Sequence, residues 1–292
     1  MTAAPYVLVL ISAFTHAYWN FLLQRARGTQ VFIGLSKLAE VALFLVPFVW
    51  FAARDGSTLV RYWPYCVVGA VLVVLNYIFL GKAYAAGALS LVYPTARGAS
   101  LFFLPILGWL WTRESVDAIG ILSIGLIVAG LAVIHLEAFR WNHVTRLASR
   151  FRDRAIVYAL LAAFTTACYT LWDKRSVSVL APFLYFYAYT AITGLAYGLF
   201  ILVRYPAAQV RTEWAANKSP ILQVGFFNAF TYLLVLYSLQ SGKASYVIAL
   251  RQLSIGFGVL IGWKILKEEF PVPKRAGLVL LLAGCLLISL AR

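Results

Sequence analysis

Arg97 and Arg251 each stand well inside a long apolar stretch. An ionisable side chain there is costly and normally faces a bundle interior or an aqueous cavity. A guanidinium grips carboxylate, phosphate or phosphonate through paired N–H donors, so the two read as a clamp for an anion. Tyr93, Arg97 and Ser100 share one helix face by spacing, as do Arg251 and Ser254. The competing role is structural, an Arg held by helix-end carbonyls or by an acid. Glu40 lies mid-stretch with Lys37 three residues before it. These are proton-coupling candidates or, as the closer reading, a fixed internal ion pair. Ser12, His16, Asn20 and Gln24 form an i, i+4 polar stripe that faces other helices or water. His16 titrates near neutrality when unperturbed, which makes it a further coupling candidate. Asn76 and Asn228, the latter followed by Thr231 and Tyr232, offer hydrogen bonds to a substrate or between helices. Trp19, Trp172, Tyr185 and Tyr189 are candidate cavity walls, and Asp173-Lys174-Arg175 reads as an interfacial anchor.

Other chemistries lack their residues. There is no Gly-x-Ser-x-Gly, no His-Glu-x-x-His and no phosphate-cradling Gly-rich loop. With only 10 acids, a paired-carboxylate site is hard to assemble. Cys66, Cys168 and Cys285 are far apart and form no Cys-x-x-Cys, so neither a disulfide framework nor a metal site is expected. No cofactor is implied, and the reading is not an enzyme. An integral membrane enzyme acting on a lipid or lipid-linked substrate is the competing class.

The elements that position these residues follow from composition. Of 292 residues, 63% are hydrophobic and 12% charged, about half the charge of an ordinary soluble domain. Mean hydropathy is +0.85. So much apolar surface needs lipid around it, which excludes a soluble enzyme or a disordered chain. The formal charge is +15, yet the cations sit mostly between apolar stretches, as charges at membrane surfaces do, so nucleic acid is not an expected partner. A membrane-crossing helix needs about 20 residues. Ten stretches fit, at roughly 5–24, 31–53, 62–83, 88–112, 116–136, 155–172, 180–203, 220–239, 244–266 and 274–291. The first lacks a positive leading region and ends in Gln24-Arg25-Ala26-Arg27, so it reads as a retained span rather than a signal peptide.

The chain also resembles itself. Residues 97–130, slid by 154 positions, align Arg97 with Arg251, Ser100 with Ser254 and Phe103 with Phe257. Gly108-Trp109 meets Gly262-Trp263, Glu114 meets Glu268, and Leu126, Ala129 and Gly130 meet Leu280, Ala283 and Gly284. Two homologous halves with five spans each must lie in opposite orientations, an architecture that holds substrate between its repeats near the midplane. The expected fold is therefore an all-α integral membrane protein, with ten transmembrane helices as two inverted five-helix repeats. Residues 1–136 form the first repeat, 137–154 a basic linker and 155–292 the second repeat.

The endings Gly108-Trp109-Leu110-Trp111-Thr112-Arg113-Glu114 and Gly262-Trp263-Lys264-Ile265-Leu266-Lys267-Glu268, with the opening His16-Ala17-Tyr18-Trp19-Asn20, resemble the ten-helix EamA-like branch of the drug/metabolite transporter superfamily. The resemblance covers essentially the whole chain. It implies export or exchange of a small metabolite through a central cavity, with spans four and nine among its walls, but it names no cargo. The expected partners are a small-molecule substrate and membrane lipids, with protons or a counter-substrate for coupling, as a monomer or a dimer. The expected location is a bacterial inner membrane. Loops after odd-numbered spans carry about 14 Lys and Arg against about 7 on the other side, which puts the odd loops in the cytoplasm and both termini outside. The resemblance implies both termini in the cytoplasm, so the orientation stays open between the two.

Overall fold

In the computed structural model, residues 3–26, 29–87, 89–134, 153–265, 267 and 269–291 are described, apart from the side chains of residues 3, 89–91, 93 and 94. The basic linker lies almost wholly outside them. Ten helices account for nearly all the described residues. They are α1 (Ala3–Arg25), α2 (Gln30–Arg61), α3 (Trp63–Ala86), α4 (Leu89–Thr112), α5 (Ala118–Ile134), α6 (Arg154–Ser176), α7 (Pro182–Arg204), α8 (Ala207–Ser241), α9 (Ala244–Lys264) and α10 (Val272–Ile288). In lipid every backbone polar group must be satisfied within the protein, which a helix does for itself. Seven of the ten are long and apolar enough to cross a membrane, and α5 is a shorter apolar helix. The chain is an all-helical, multi-pass membrane protein. Large apolar side chains on its outside, such as Val46, Val203 and Leu286, face where lipid would be; Trp63, Trp109, Trp111 and Trp263 are exposed near helix ends, as an aromatic belt requires, while Trp50 is exposed within α2.

Two helices run past their expected spans. α2 continues to Arg61 through a non-helical Asp55, and α8 begins at Ala207 and bends at Asn217. Both extensions are polar, so hydropathy stops at the membrane surface while the backbone hydrogen bonding goes on. They fall in corresponding places, between the second and third helices of each half.

Helix packing pairs the two halves. α5 lies along α10, α2 along α7, α1 along α8 and α3 along α6. The α5–α10 crossing is set by glycine: a Cβ on Gly277 would lie 2.5 Å from the Ile134 amide nitrogen and 2.7 Å from the Gly130 carbonyl. Gly284 packs as closely against Ser123 and Ile127. Gly277→Val is therefore expected to lower stability by about 1–3 kcal/mol through overpacking. Gly125→Ala on the partner helix α5, where a new Cβ meets nothing within 4 Å, should leave the melting temperature unchanged or slightly raised. Thermal unfolding of the purified protein checks both.

The two halves also share a local anomaly. Arg113 and Lys267, matched by the 154-residue offset, have φ of 58° and 59°, the only positive values at non-glycine residues among those described. At Arg113 this left-handed turn ends α4, and the Glu114 amide donates back to the Gly108 carbonyl at 3.1 Å.

Candidate functional site

Eight helices, all but α5 and α10, surround a cavity of about 280 Å³. It lies midway along them. α1 contributes His16 and Trp19, α2 Lys37 and Glu40, and α3 Asn76 and Tyr77. Arg97 comes from α4, Thr166 and Tyr169 from α6, Tyr189 from α7, Asn228 and Tyr232 from α8, and Arg251 from α9. The structure thus brings Arg97, Arg251, His16, Trp19, Asn76, Asn228, Tyr232, Lys37 and Glu40 to one place. Three of the lining side chains are formal cations and one is a carboxylate.

The acid end is built by a close helix approach. A Cβ on Gly225 would lie 2.7 Å from the Ser36 carbonyl and 3.0 Å from the Glu40 amide, so only glycine lets α8 come this near α2. Asn228, one turn on, then donates its amide to Glu40 Oε2 at 2.8 Å. Lys37 Nζ reaches the same oxygen at 2.8 Å. Glu40 is 1% exposed, and its Oε1 is buried without a hydrogen-bond partner. This geometry supports the fixed ion pair.

The cationic end lies one turn further along α8. The Arg251 guanidinium sits 5.4 Å from the centre of the Tyr232 ring, and its Nη2 is 3.4 Å from His16 Nδ1. Its Nε is buried without a partner, as is the indole nitrogen of Trp19, which meets His16 edge-on. Arg97 lines this cavity and a second one of about 340 Å³, which it shares with His16. The second cavity runs between α1 and α9, past Asn20, Phe21 and Gln24, towards the end of the bundle where α1 ends. Asn20 therefore lines this vestibule rather than the central cavity, and its amide donates to the His16 carbonyl.

The opposite end is closed by polar contacts. Glu114 pairs with Lys174, and its Oε2 accepts from the Ala244 amide at 3.0 Å, at the start of α9. Lys174 also donates to the Gly242 carbonyl at 2.7 Å, Lys243 donates to the Ser115 carbonyl, and the Tyr246 hydroxyl reaches Asp117 at 2.9 Å.

Several residues play other parts than expected. Asp173 is not an interfacial anchor: it is 1% exposed and accepts from Tyr185 at 2.6 Å and from Tyr232, so it braces the tyrosine beneath Arg251. Tyr185 is therefore a core residue rather than a cavity wall. Trp172 does not line the cavity; its indole donates to the Tyr65 carbonyl at 2.9 Å and its ring stacks on Tyr65. Asn76 directs its amide into α6, to the Ala162 carbonyl and to Thr165 and Thr166. Ser12 donates to the Thr231 carbonyl, a bond between α1 and α8. Tyr93 is on α4, but its side chain lies outside the described residues. Tyr77, Tyr169 and Thr166 line the cavity without a sequence signal beyond their place in apolar helices.

Residues 153–290 match the model of the EamA-like transporter family. A protein of Methanocaldococcus jannaschii, "Uncharacterized protein MJ1333.1", is 28% identical over 143 residues, which is 48% of this chain and 98% of that one. A solved crystal structure shares the fold over 99% of both chains, with a TM-score of 0.71 at 12% identity. The chain is thus a multi-pass membrane protein whose second half, residues 153–290, is similar to the EamA-like transporter family.

Proposed function

We propose that the chain is a secondary transporter that moves a small polar or anionic metabolite by alternating access, as an exporter or exchanger. The observation that carries this reading is the central cavity itself. It holds Arg97 of α4 and Arg251, which stands where α9 is interrupted by a turn at Gln252, with a single carboxylate among the lining side chains. Fixed cations in a site walled by protein are attractive to an oxyanion and costly without one. His16, Asn76, Asn228 and Tyr232 supply hydrogen-bonding groups, while Trp19 and the tyrosines enclose the substrate.

Two inverted five-helix repeats give the movement. The reading is supported by the 154-residue match, by the paired left-handed turns at Arg113 and Lys267, and by helix pairings that exchange between halves. A vestibule at one end and polar contacts at the other fit a site reached from one side at a time. Glu40, Lys37 and His16 are the groups through which protons would couple, and exchange against a counter-substrate needs none of them.

The purified protein in liposomes tests this. Flux of small organic anions, measured against protein-free vesicles, is the expected result. Turnover of lipid without solute flux would overturn it in favour of an enzyme.

A further inference from the structure

Leaving aside Glu114, which pairs with Lys174, four buried side-chain polar atoms among the described residues lack a polar partner, and three of them belong to side chains that line the central cavity. Two, Arg251 Nε and Trp19 Nε1, are donors. The third, Glu40 Oε1, is an acceptor. A buried polar atom without a partner costs about 1–3 kcal/mol, and more when charged. Such atoms are otherwise rare, so three around one cavity point to a ligand that satisfies both kinds.

The two kinds are separated. Glu40 is held by Asn228, and Arg251 lies over Tyr232. Asn228 and Tyr232 are four residues apart on α8, one turn, or about 6 Å along the axis. A carboxylate has two oxygens and about four acceptor sites, and here Lys37 and Asn228 both use Oε2. Glu40 Oε1 thus still lacks a donor while the ion pair through Oε2 is complete, and a ligand in the cavity reaches it only with a small shift of this side chain.

We propose that Glu40 is a specificity-determining residue, selecting a substrate that carries an amine about one helical turn from its oxyanion. This deepens the transport reading and rests on it. The oxyanion engages Arg251, with Arg97 and Trp19 beside it. The amine donates to Glu40 Oε1. A simple anion fills only the first position and leaves Glu40 Oε1 unpaired; a simple amine leaves the guanidinium unpaired. A site built to hydrogen-bond a group rejects the analogue that lacks it much more strongly than an apolar pocket rejects a missing methylene.

The test uses the full chain and matched probes. Binding of 4-aminobutyrate is compared with butyrate and butylamine, and O-phosphoethanolamine with ethyl phosphate and ethanolamine, by thermal shift and by flux in liposomes. The two sets distinguish a carboxylate from a phosphate as the anion. The expected result is that at least one dipolar compound binds about tenfold or more tightly than both of its single-function analogues. In Glu40→Gln that preference over the simple anion should collapse towards one. Equal binding and flux of the simple anions in wild type would overturn the role of Glu40 and leave anion transport standing. Preference for the amines alone, or no binding and no flux with any probe, would overturn both. The wild-type series decides the matter even if Glu40→Gln fails to fold.

Discussion

Arg251→Gln is expected to weaken binding and transport of anionic substrates about a hundredfold while the protein still inserts and folds. Losing two charge-assisted hydrogen bonds to an oxyanion accounts for that magnitude. The usual objection, that an arginine at mid-helix is structural, predicts the opposite for stability. Among the described residues Arg251 has no carboxylate within ion-pair distance, and its Nε is buried without a partner. Removing a costly charge of this kind should leave the melting temperature unchanged or raised. Arg97→Gln should also weaken anion transport, and the double variant should abolish it. Full flux of every anionic candidate through the double variant would refute the clamp. Flux and melting temperature of the same preparations read the two effects separately.

Lys174→Met combined with Glu114→Gln is expected to open the closed end of the bundle. Lys174 and Glu114 join the end of α6 to the α4–α5 loop, and the same two side chains hold Gly242 and Ala244 where α8 gives way to α9. Each charge-assisted bond contributes about 1.5–3 kcal/mol, and about 1.4 kcal/mol is a tenfold population shift. If the site alternates between two faces, removing the latch should shift the population towards the other opening by tenfold or more. A single cysteine at Thr166 in a background without Cys66, Cys168 and Cys285 reports this. Its labelling by an impermeant maleimide from the latched side should accelerate about tenfold in the double variant. Unchanged labelling from both sides would show that these contacts do not gate the cavity.

The fold was legible because the hydrophobic signal is so dense. Ten apolar stretches of spanning length leave little else for the chain to do, and ten helices are described. The placement of Arg97 and Arg251 inside the bundle was legible for the converse reason, since a cation in such a stretch cannot comfortably face lipid. Asp173 was misread because charges at the end of a span look alike in sequence. Whether one faces headgroups or a neighbouring helix depends on Tyr185 and Tyr232, which come from α7 and α8. Trp172 was a candidate cavity wall like Trp19, yet its indole went to the Tyr65 carbonyl because α3 packs there. The close approach of α8 to α2 that builds the acid end was marked only by Gly225, one glycine among 20.

The excess of cations lining the cavity has an electrical consequence. Lys37, Arg97 and Arg251 against Glu40 give the empty site a formal valence of plus two, and cations remain in excess even with Asp173, which lies behind Tyr232, counted as an anion. Each elementary charge carried across a membrane potential of 100 mV is worth about 2.3 kcal/mol. An unloaded site that reorients therefore does work against the voltage in one direction and is driven by it in the other. A bound substrate with net negative charge, as O-phosphoethanolamine has and 4-aminobutyrate has not, cancels part of that charge and makes the loaded movement less sensitive to voltage. A carrier built this way returns more readily full than empty when the field opposes it, so coupled exchange should outrun net flux under an imposed potential of that sign.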